Sequence, residues 1–191
     1  MLARPQARSV IADLVARVQP HDPQERLDRQ AMLKWVQSDS PLFRRHAPAD
    51  PPCHLAVYFA LLDEHERSVM LVDHIKAQCW LLPGGHVDED EDPRLTVTRE
   101  AAEELGIEPR FSSRFGNDPF FLSRTWTRGQ HSHIDMTLWF VVDARSTDPM
   151  TTDPREFRSV RWHGLTEVDW TSTDYDPQMH RFVAKLRSAL G

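Results

Sequence analysis

Apolar residues recur at helical spacing near the start of the chain. Val10, Ile11, Leu14, Val15 and Val18 share one face of a helix expected over residues 5–18. A second helix is expected from Asp22, a residue type that caps helices, with Pro23 suited to the first turn and Glu25 three residues after the cap. Its inward residues are predicted to be Leu27, Ala31 and Trp35, spaced by four, flanked by Met32 and Val36. The stretch HAPADPP, residues 46–52, carries Pro48, Pro51 and Pro52 and reads as a linker.

From His54 the pattern shifts to strands. HLAVYFALLD and RSVMLVDHI are apolar and β-branched and read as neighbouring strands with a turn near Glu64–Glu66. WLLPGG is a short apolar run closed by Pro-Gly-Gly. Residues 93–105 read as a helix, with Gly106 as its C-terminal cap. PFFLSRTWT, HIDMTLWFVVDA and FRSVRW read as three further strands. A closing helix is expected over 176–190, with Pro177 near its start and Phe182, Val183, Leu186 and Leu190 inward. Strands mixed with few helices, and no internal repeat, imply an α/β (α+β) fold layered around one sheet. The expected organisation is a helical extension over 1–50 and a main domain over 51–191.

Composition narrows the functional classes. The chain of 191 residues suits one domain with a small appendage, and 40% hydrophobic residues supply a core. A net charge of -6 argues against general binding to duplex nucleic acid or anionic membranes. It leaves phosphate substrates open, because bound cations reverse the local sign. Cys53 and Cys79 are too few for a disulfide framework and lack the paired spacing of a zinc site. No secretory signal or membrane span is legible, so a cytoplasmic location is expected.

The negative charge is concentrated. Asp88, Glu89, Asp90, Glu91, Asp92, Glu100, Glu103 and Glu104 crowd one segment, against only Arg94 and Arg99. At about 100° per residue, Leu95, Val97, Thr98, Ala101, Ala102 and Leu105 take one broad helix face. Glu100, Glu103 and Glu104 fall in an arc about 100° wide beside it. A solvated face intersperses signs, yet this arc has no lysine. Glu103 and Glu104 also sit in the last turn, where the helix dipole disfavours anions. A hard divalent cation resolves both problems, since Mg2+ takes carboxylate oxygens and completes its shell with water and substrate phosphate.

This segment resembles the Nudix box: Gly, five residues, Glu, seven residues, then Arg-Glu-U-x-Glu-Glu-x-Gly-U, with U a bulky aliphatic. Gly85, Glu91, Arg99, Glu100, Glu103, Glu104, Gly106 and Ile107 match at the right spacing; Ala101 is a small residue at the first U. So many fixed positions make the match far more specific than a lone glycine motif. The resemblance implies the Nudix fold, a mixed sheet sandwiched between helices. It implies hydrolysis of a nucleoside diphosphate linked to another moiety, with Mg2+ or Mn2+. It implies metal ligation by Glu100, Glu103, Glu104 and the Gly85 carbonyl, with Glu91 and Arg99 bracing loop against helix, as metal sites require. The other loop acids read as surface, with Asp92 as the helix N-cap.

Outside the box, MutT-type members place a glutamate six residues before a tryptophan that ends a strand. In EFRSVRW, Glu156 stands six before Trp162. Glu156 is therefore a candidate general base or additional metal ligand, against a plain loop residue; Glu103 or Glu104 is the alternative base. His131, His133 and Asp135 have metal-ligand spacing, but a polar strand face is the favoured reading. On that strand His133, Asp135, Thr137 and Trp139 lie opposite Ile134, Met136, Leu138 and Phe140. His86 is given no catalytic role. Trp80 and Trp126 are expected to pack in the core rather than stack on a base.

The segment HDPQERLDRQAMLKWVQ, the linker, and DHIKAQCWLLPGGHVD resemble a group of bacterial Nudix proteins with a two-helix N-terminal segment. Three roles are open to those helices: capping the sheet, forming a homodimer face, or covering the cleft. The principal expectation is a metal-dependent pyrophosphohydrolase acting on a small nucleotide such as a nucleoside triphosphate, ADP-ribose or a dinucleotide. The alternatives are a non-catalytic nucleotide sensor and an isomerase resembling isopentenyl diphosphate isomerase. The isomerase places a cysteine just before a Gly-His pair, where this chain has Gly84, and the intact box also counts against it.

Overall fold

A computed structural model describes residues 4–45, 51–127 and 132–191. The first helix, α1 (Arg4–Arg17), buries Ala7, Ile11, Leu14 and Val15. The second, α2 (Pro23–Val36), is capped as its sequence suggests: Glu25 N donates to Asp22 Oδ1 at 2.7 Å. The side chain of Glu25 reaches back to accept from His21 N at 2.6 Å, satisfying a second backbone donor. The predicted inner face of α2 holds at Met32, Trp35 and Val36, the residues toward its C-terminal end that reach the core, and fails at Leu27. The buried residues are Glu25, Asp28, Met32 and Val36, while Leu27 is 58% exposed. The two acids turn inward because cations of the last helix, described below, meet them there. Most of the expected linker, residues 46–50, lies outside the described residues.

The sheet comprises β1 (Cys53–Asp63), β2 (Ser68–His74), β3 (Cys79–Leu81), β4 (Gly84–His86), β5 (Arg110–Phe111), β6 (Phe121–Trp126), β7 (Ile134–Asp143) and β8 (Phe157–Gly164). Helix α3 (Pro93–Leu105) follows β4, and α4 (Met179–Leu190) closes the chain. Strand β1 is central. It runs parallel to β7 in unbroken register from Cys53–Ile134 to Leu62–Asp143. It pairs antiparallel with β2 at one end and with β4 nearer the other. Strand β8 joins β2, while β5 and β6 both join β7.

Alternation in β1 divides the core. Leu55, Val57, Phe59 and Leu61 pack on the side of α1, α2 and α3, with Met136, Leu138 and Phe140. Ala60 and Leu62 pack on the opposite side with Trp139, Val141 and the α4 residues Phe182, Val183 and Leu186. A strand buried on both faces reads as a continuous apolar run, which is why HLAVYFALLD shows little alternation. The result is the mixed sheet between helices that the resemblance implies, with α1 and α2 built into the same core.

Three further expectations are corrected. Helix α4 begins at Met179 rather than 176; Asp176 Oδ1 instead accepts from Gln178 N at 2.7 Å in the turn before it. The expected polar face of β7 is polar only at its start, because Thr137 is buried and Trp139 is wholly enclosed beneath α4. Trp126 is 64% exposed, since it ends β6 beyond the cover of the helices, whereas Trp80 packs against the α4-side core. No described helix is long and apolar enough to cross a membrane.

Candidate active site

Helix α3 is held at both ends by its own sequence. Asp92 accepts from Arg94 N at 2.9 Å, Pro93 occupies the first turn, and Gly106 ends the helix at φ 64°, in the left-handed region glycine favours. Its buried residues are Pro93, Thr96, Val97, Ala101, Glu104 and Leu105. Leu95, Thr98 and Ala102, expected inside, are exposed. The helix is rolled so that a carboxylate, not Leu95, faces the sheet.

That roll brings Glu104 and Glu100 against β4. Glu104 Oε2 accepts from Gly84 N at 3.0 Å. A Cβ on Gly85 would overlap the Glu100 carboxylate, so the bare glycine is what lets the two approach. Glu103 stays at the rim with its side chain 62% exposed. Arg99 joins loop to helix. It donates to Glu91 Oε2 at 3.2 Å, to the His86 carbonyl at 3.1 Å and to Glu100 Oε1 at 2.7 Å. Glu91 Oε2 also accepts from Thr96 Oγ1 at 2.7 Å and Asp88 N at 3.2 Å.

Glu156 arrives from the far end of α3. Thr151 N and Asp153 N donate to the carbonyls of Leu105 and Glu104, at 2.9 and 3.1 Å. These carbonyls have no partner within the helix, so the loop satisfies them and is thereby docked. Glu156 follows in the turn before β8, close enough for its charge to act on Glu100 and Glu104.

The electrostatics are strained in one direction. Burial, then Glu100, push the Glu104 carboxyl up to about 9, with Glu156 and Glu103 adding and the Gly84 N–H opposing. Burial also raises Glu100, against the pull of Arg99. Glu91 is lowered, because its bonds from Arg99 and Thr96 outweigh its burial. Crowded, half-buried carboxylates with one arginine among them are short of positive charge, and an oxygen-seeking divalent cation fits that donor set. Beside them lies a cavity of about 310 Å³ lined by Arg44, Arg45, His86, Val87, Arg99 and Glu100, among others.

The NUDIX domain pattern matches residues 52–186. The chain belongs to the Nudix family. This Nudix chain is 43% identical over 58 residues to a CMP-5'-(N-acetyl-N-hydroxy-3-aminopropyl)phosphonate hydrolase of Streptomyces rubellomurinus, covering 29% of the chain and 28% of the relative. It is 28% identical over 118 residues to an RNA pyrophosphohydrolase of Thioalkalivibrio sulfidiphilus, covering 53% of the chain and 65% of the relative. The chain thus spans less than two thirds of either relative's length. In structure it resembles the NUDIX domain of Shewanella oneidensis NrtR complexed with ADP ribose, with TM-score 0.55 and 20% identity. That match covers 83% of this chain and 97% of the other, and it speaks to the fold.

Two parts of the Nudix site's surroundings are legible in the sequence only in part, or not at all. Arg44 and Arg45 reach the cavity from the segment after α2; their signal in the sequence is an arginine pair with no acid beside it. The second is a histidine cluster. His133 and Asp135 meet His86 and His54, while His131 falls outside the described residues. Burial first, then His86, lower the His54 imidazole to about 4. Asp135 falls to about 2, because contacts from His133 and His86 outweigh its burial.

Proposed function

We propose that this Nudix protein is a divalent-cation-dependent pyrophosphohydrolase, cleaving a phosphoanhydride in a nucleoside diphosphate linked to another moiety. The observation that carries the reading is the set of carboxylates at one end of β4: Glu100 against Gly85, Glu104 on Gly84 N, and Glu103 and Glu156 near enough for their charge to act on Glu104, beside a cavity lined by Arg44 and Arg45. The names of the relatives point the same way: one is an RNA pyrophosphohydrolase, one a hydrolase of a CMP-linked phosphonate, and a structural neighbour is complexed with ADP ribose.

Glu100, Glu103, Glu104 and the Gly85 carbonyl would hold Mg2+ or Mn2+. Such an ion, when bound, neutralises phosphate oxygens and makes a coordinated water more acidic. Arg99 and Glu91 keep the Gly85 loop and the α3 carboxylates in one geometry. Arg44 and Arg45, which line the same cavity, would supply planar donors for phosphate oxygens. Attack of water on one phosphorus breaks the P–O bond to the bridging oxygen, which leaves on the other phosphate. The proton of the attacking water goes to a carboxylate, that of Glu156 or else Glu103 or Glu104.

The test is a panel of nucleoside triphosphates, ADP-ribose, dinucleoside polyphosphates, nucleotide sugars and 5'-triphosphorylated RNA, with Mg2+ and with Mn2+. Products are identified by mass. Turnover of one class is expected, together with a loss of about a hundredfold or more in Glu103→Gln or Glu104→Gln. Nucleotide binding without turnover across the panel would make the protein a sensor and end the reading.

A further inference from the structure

The histidine cluster is fixed by strand register. In the parallel pair β1–β7, His54 stands opposite Asp135. His133 precedes Asp135 by two residues and so shares its side of the sheet. Strand β4 sets His86 against Ala56, two residues after His54, which puts the His86 ring on that same side. Gly85, one residue earlier, faces α3 and the box carboxylates. Adjacent residues of β4 therefore face two different groups of side chains on opposite sides of the sheet.

The distances describe a cage. The Nε2 atoms of His54, His86 and His133 lie 3.5, 3.4 and 3.2 Å from Asp135 Oδ1. One ligand atom from each of the four residues lies within 4.8 Å of every other. Ligands about 2.05 Å from a tetrahedral Zn2+ are about 3.3 Å apart, the spacing found around Asp135 Oδ1.

His54 shows why the cage calls for a cation. It is completely buried, and its Nδ1 lies 2.9 Å from the Pro51 carbonyl. A carbonyl only accepts, so Nδ1 carries the proton and Nε2 of the neutral ring is a bare lone pair. That lone pair lies on an atom 3.5 Å from Asp135 Oδ1, which in an ionised carboxylate also only accepts. Neither atom has a hydrogen-bond partner, and neither has His86 Nε2. Buried polar atoms left so are few in folded proteins because each is costly.

We propose that His54, His86, His133 and Asp135 bind a tetrahedral Zn2+ ion, in a site separate from the box carboxylates. Three imidazoles and one carboxylate suit Zn2+ rather than Mg2+, which prefers oxygen ligands. The His54 Nδ1–H on the Pro51 carbonyl is the outer contact that orients a ligating ring, and Thr127 Oγ1 lies 3.2 Å from His133 Nδ1 in a similar position. Four protein ligands leave no open position, so the ion is structural. It ties β4 to the starts of β1 and β7. Arg99 holds the His86 carbonyl from the α3 side, so the ion and the guanidinium fix this residue from both sides of the sheet. The Zn2+ thereby locks the strand that presents Gly85.

The test uses the full chain, purified from zinc-supplemented medium and dialysed against Mg2+. About one Zn2+ per chain should remain, and Co2+ put in its place should give the intense visible bands of a tetrahedral site. His133→Ala and Asp135→Asn should lose the retained metal and the bands; Glu103→Gln should keep both. Should the cluster variants not fold, chelation of the wild-type protein is the second measurement: it should lower Tm, and Zn2+ should restore it. Folded wild-type protein that retains no Zn2+ and shows no tetrahedral Co2+ bands overturns the proposal. So does metal retained by folded cluster variants, or a Tm that chelation leaves unmoved. None of these readouts uses turnover, so a failure of the hydrolase reading is distinguishable from a failure here.

Discussion

Lys185 Nζ of α4 lies 2.7 Å from Glu25 Oε1 of α2, with both side chains buried. The ammonium also donates to the Gln19 carbonyl at 2.6 Å, and beside it Arg181 pairs with Asp22 at 2.9 Å. Burial lowers the Lys185 pKa, and Glu25 opposes that shift. Glu25→Ala leaves a buried ammonium without its counter-charge, and the expected loss is about 3–5 kcal/mol. The double variant Glu25→Ala, Lys185→Met should recover part of it. Urea unfolding measures both, and a single variant as stable as wild type would show that the pair is not holding the helices together.

Arg99→Ala removes no expected metal ligand but frees Glu91, Glu100 and the His86 carbonyl together. Turnover should fall by about tenfold or more, with the far-UV spectrum unchanged. Arg99→Lys, which cannot reproduce the fork, should rescue little of it. Full activity in Arg99→Ala would mean that loop and helix keep their geometry without this residue.

Glu156 stands six residues before Trp162, and in the fold its charge reaches Glu100 and Glu104. If it takes the proton from water, Glu156→Gln lowers turnover by about a hundredfold or more, with nucleotide affinity little changed. Partial rescue by high Mn2+ marks an additional metal ligand instead. An unchanged rate and metal dependence would move the base to a box glutamate.

Both the box and its helix were legible because each depends on local spacing: caps at Asp92 and Gly106, and glutamates three and four apart. The roll of that helix was not. A hydrophobic pattern puts Leu95 inside and carboxylates outside, whereas Glu104 is drawn in to meet Gly84 N. Helix α2 misled for the same reason, since Glu25 and Asp28 face inward toward cations some 150 residues later in the chain. His54 carried no signal at all. Its neighbours come from β4 and β7, and only the parallel register sets it opposite Asp135.

Asp63 ends β1 and accepts from Ser146 N at 2.8 Å and Glu66 N at 3.2 Å, with Arg145 3.5 Å away. Its burial would raise the carboxyl pKa, but these contacts outweigh it and leave the group below its usual value of 3.8. A depressed folded-state pKa means stability present above the unfolded value and lost as pH falls through the folded one. Asp63→Asn should therefore destabilise at neutral pH, and the gap from wild type should close below about pH 4. A gap that does not vary with pH would assign the effect to packing.

The parallel pairing of β1 with β7 also governs the order of assembly during synthesis. Helix α3 and the strands from β2 through β6 all lie between the two partners in sequence. Until the ribosome has released the chain as far as Asp143, β1 has antiparallel partners at only a few positions in β2 and β4. An apolar strand that the finished sheet covers on both faces must wait with much of its backbone unpaired. Closing so long a loop is entropically slow, and the waiting edge is a template for pairing with another nascent chain.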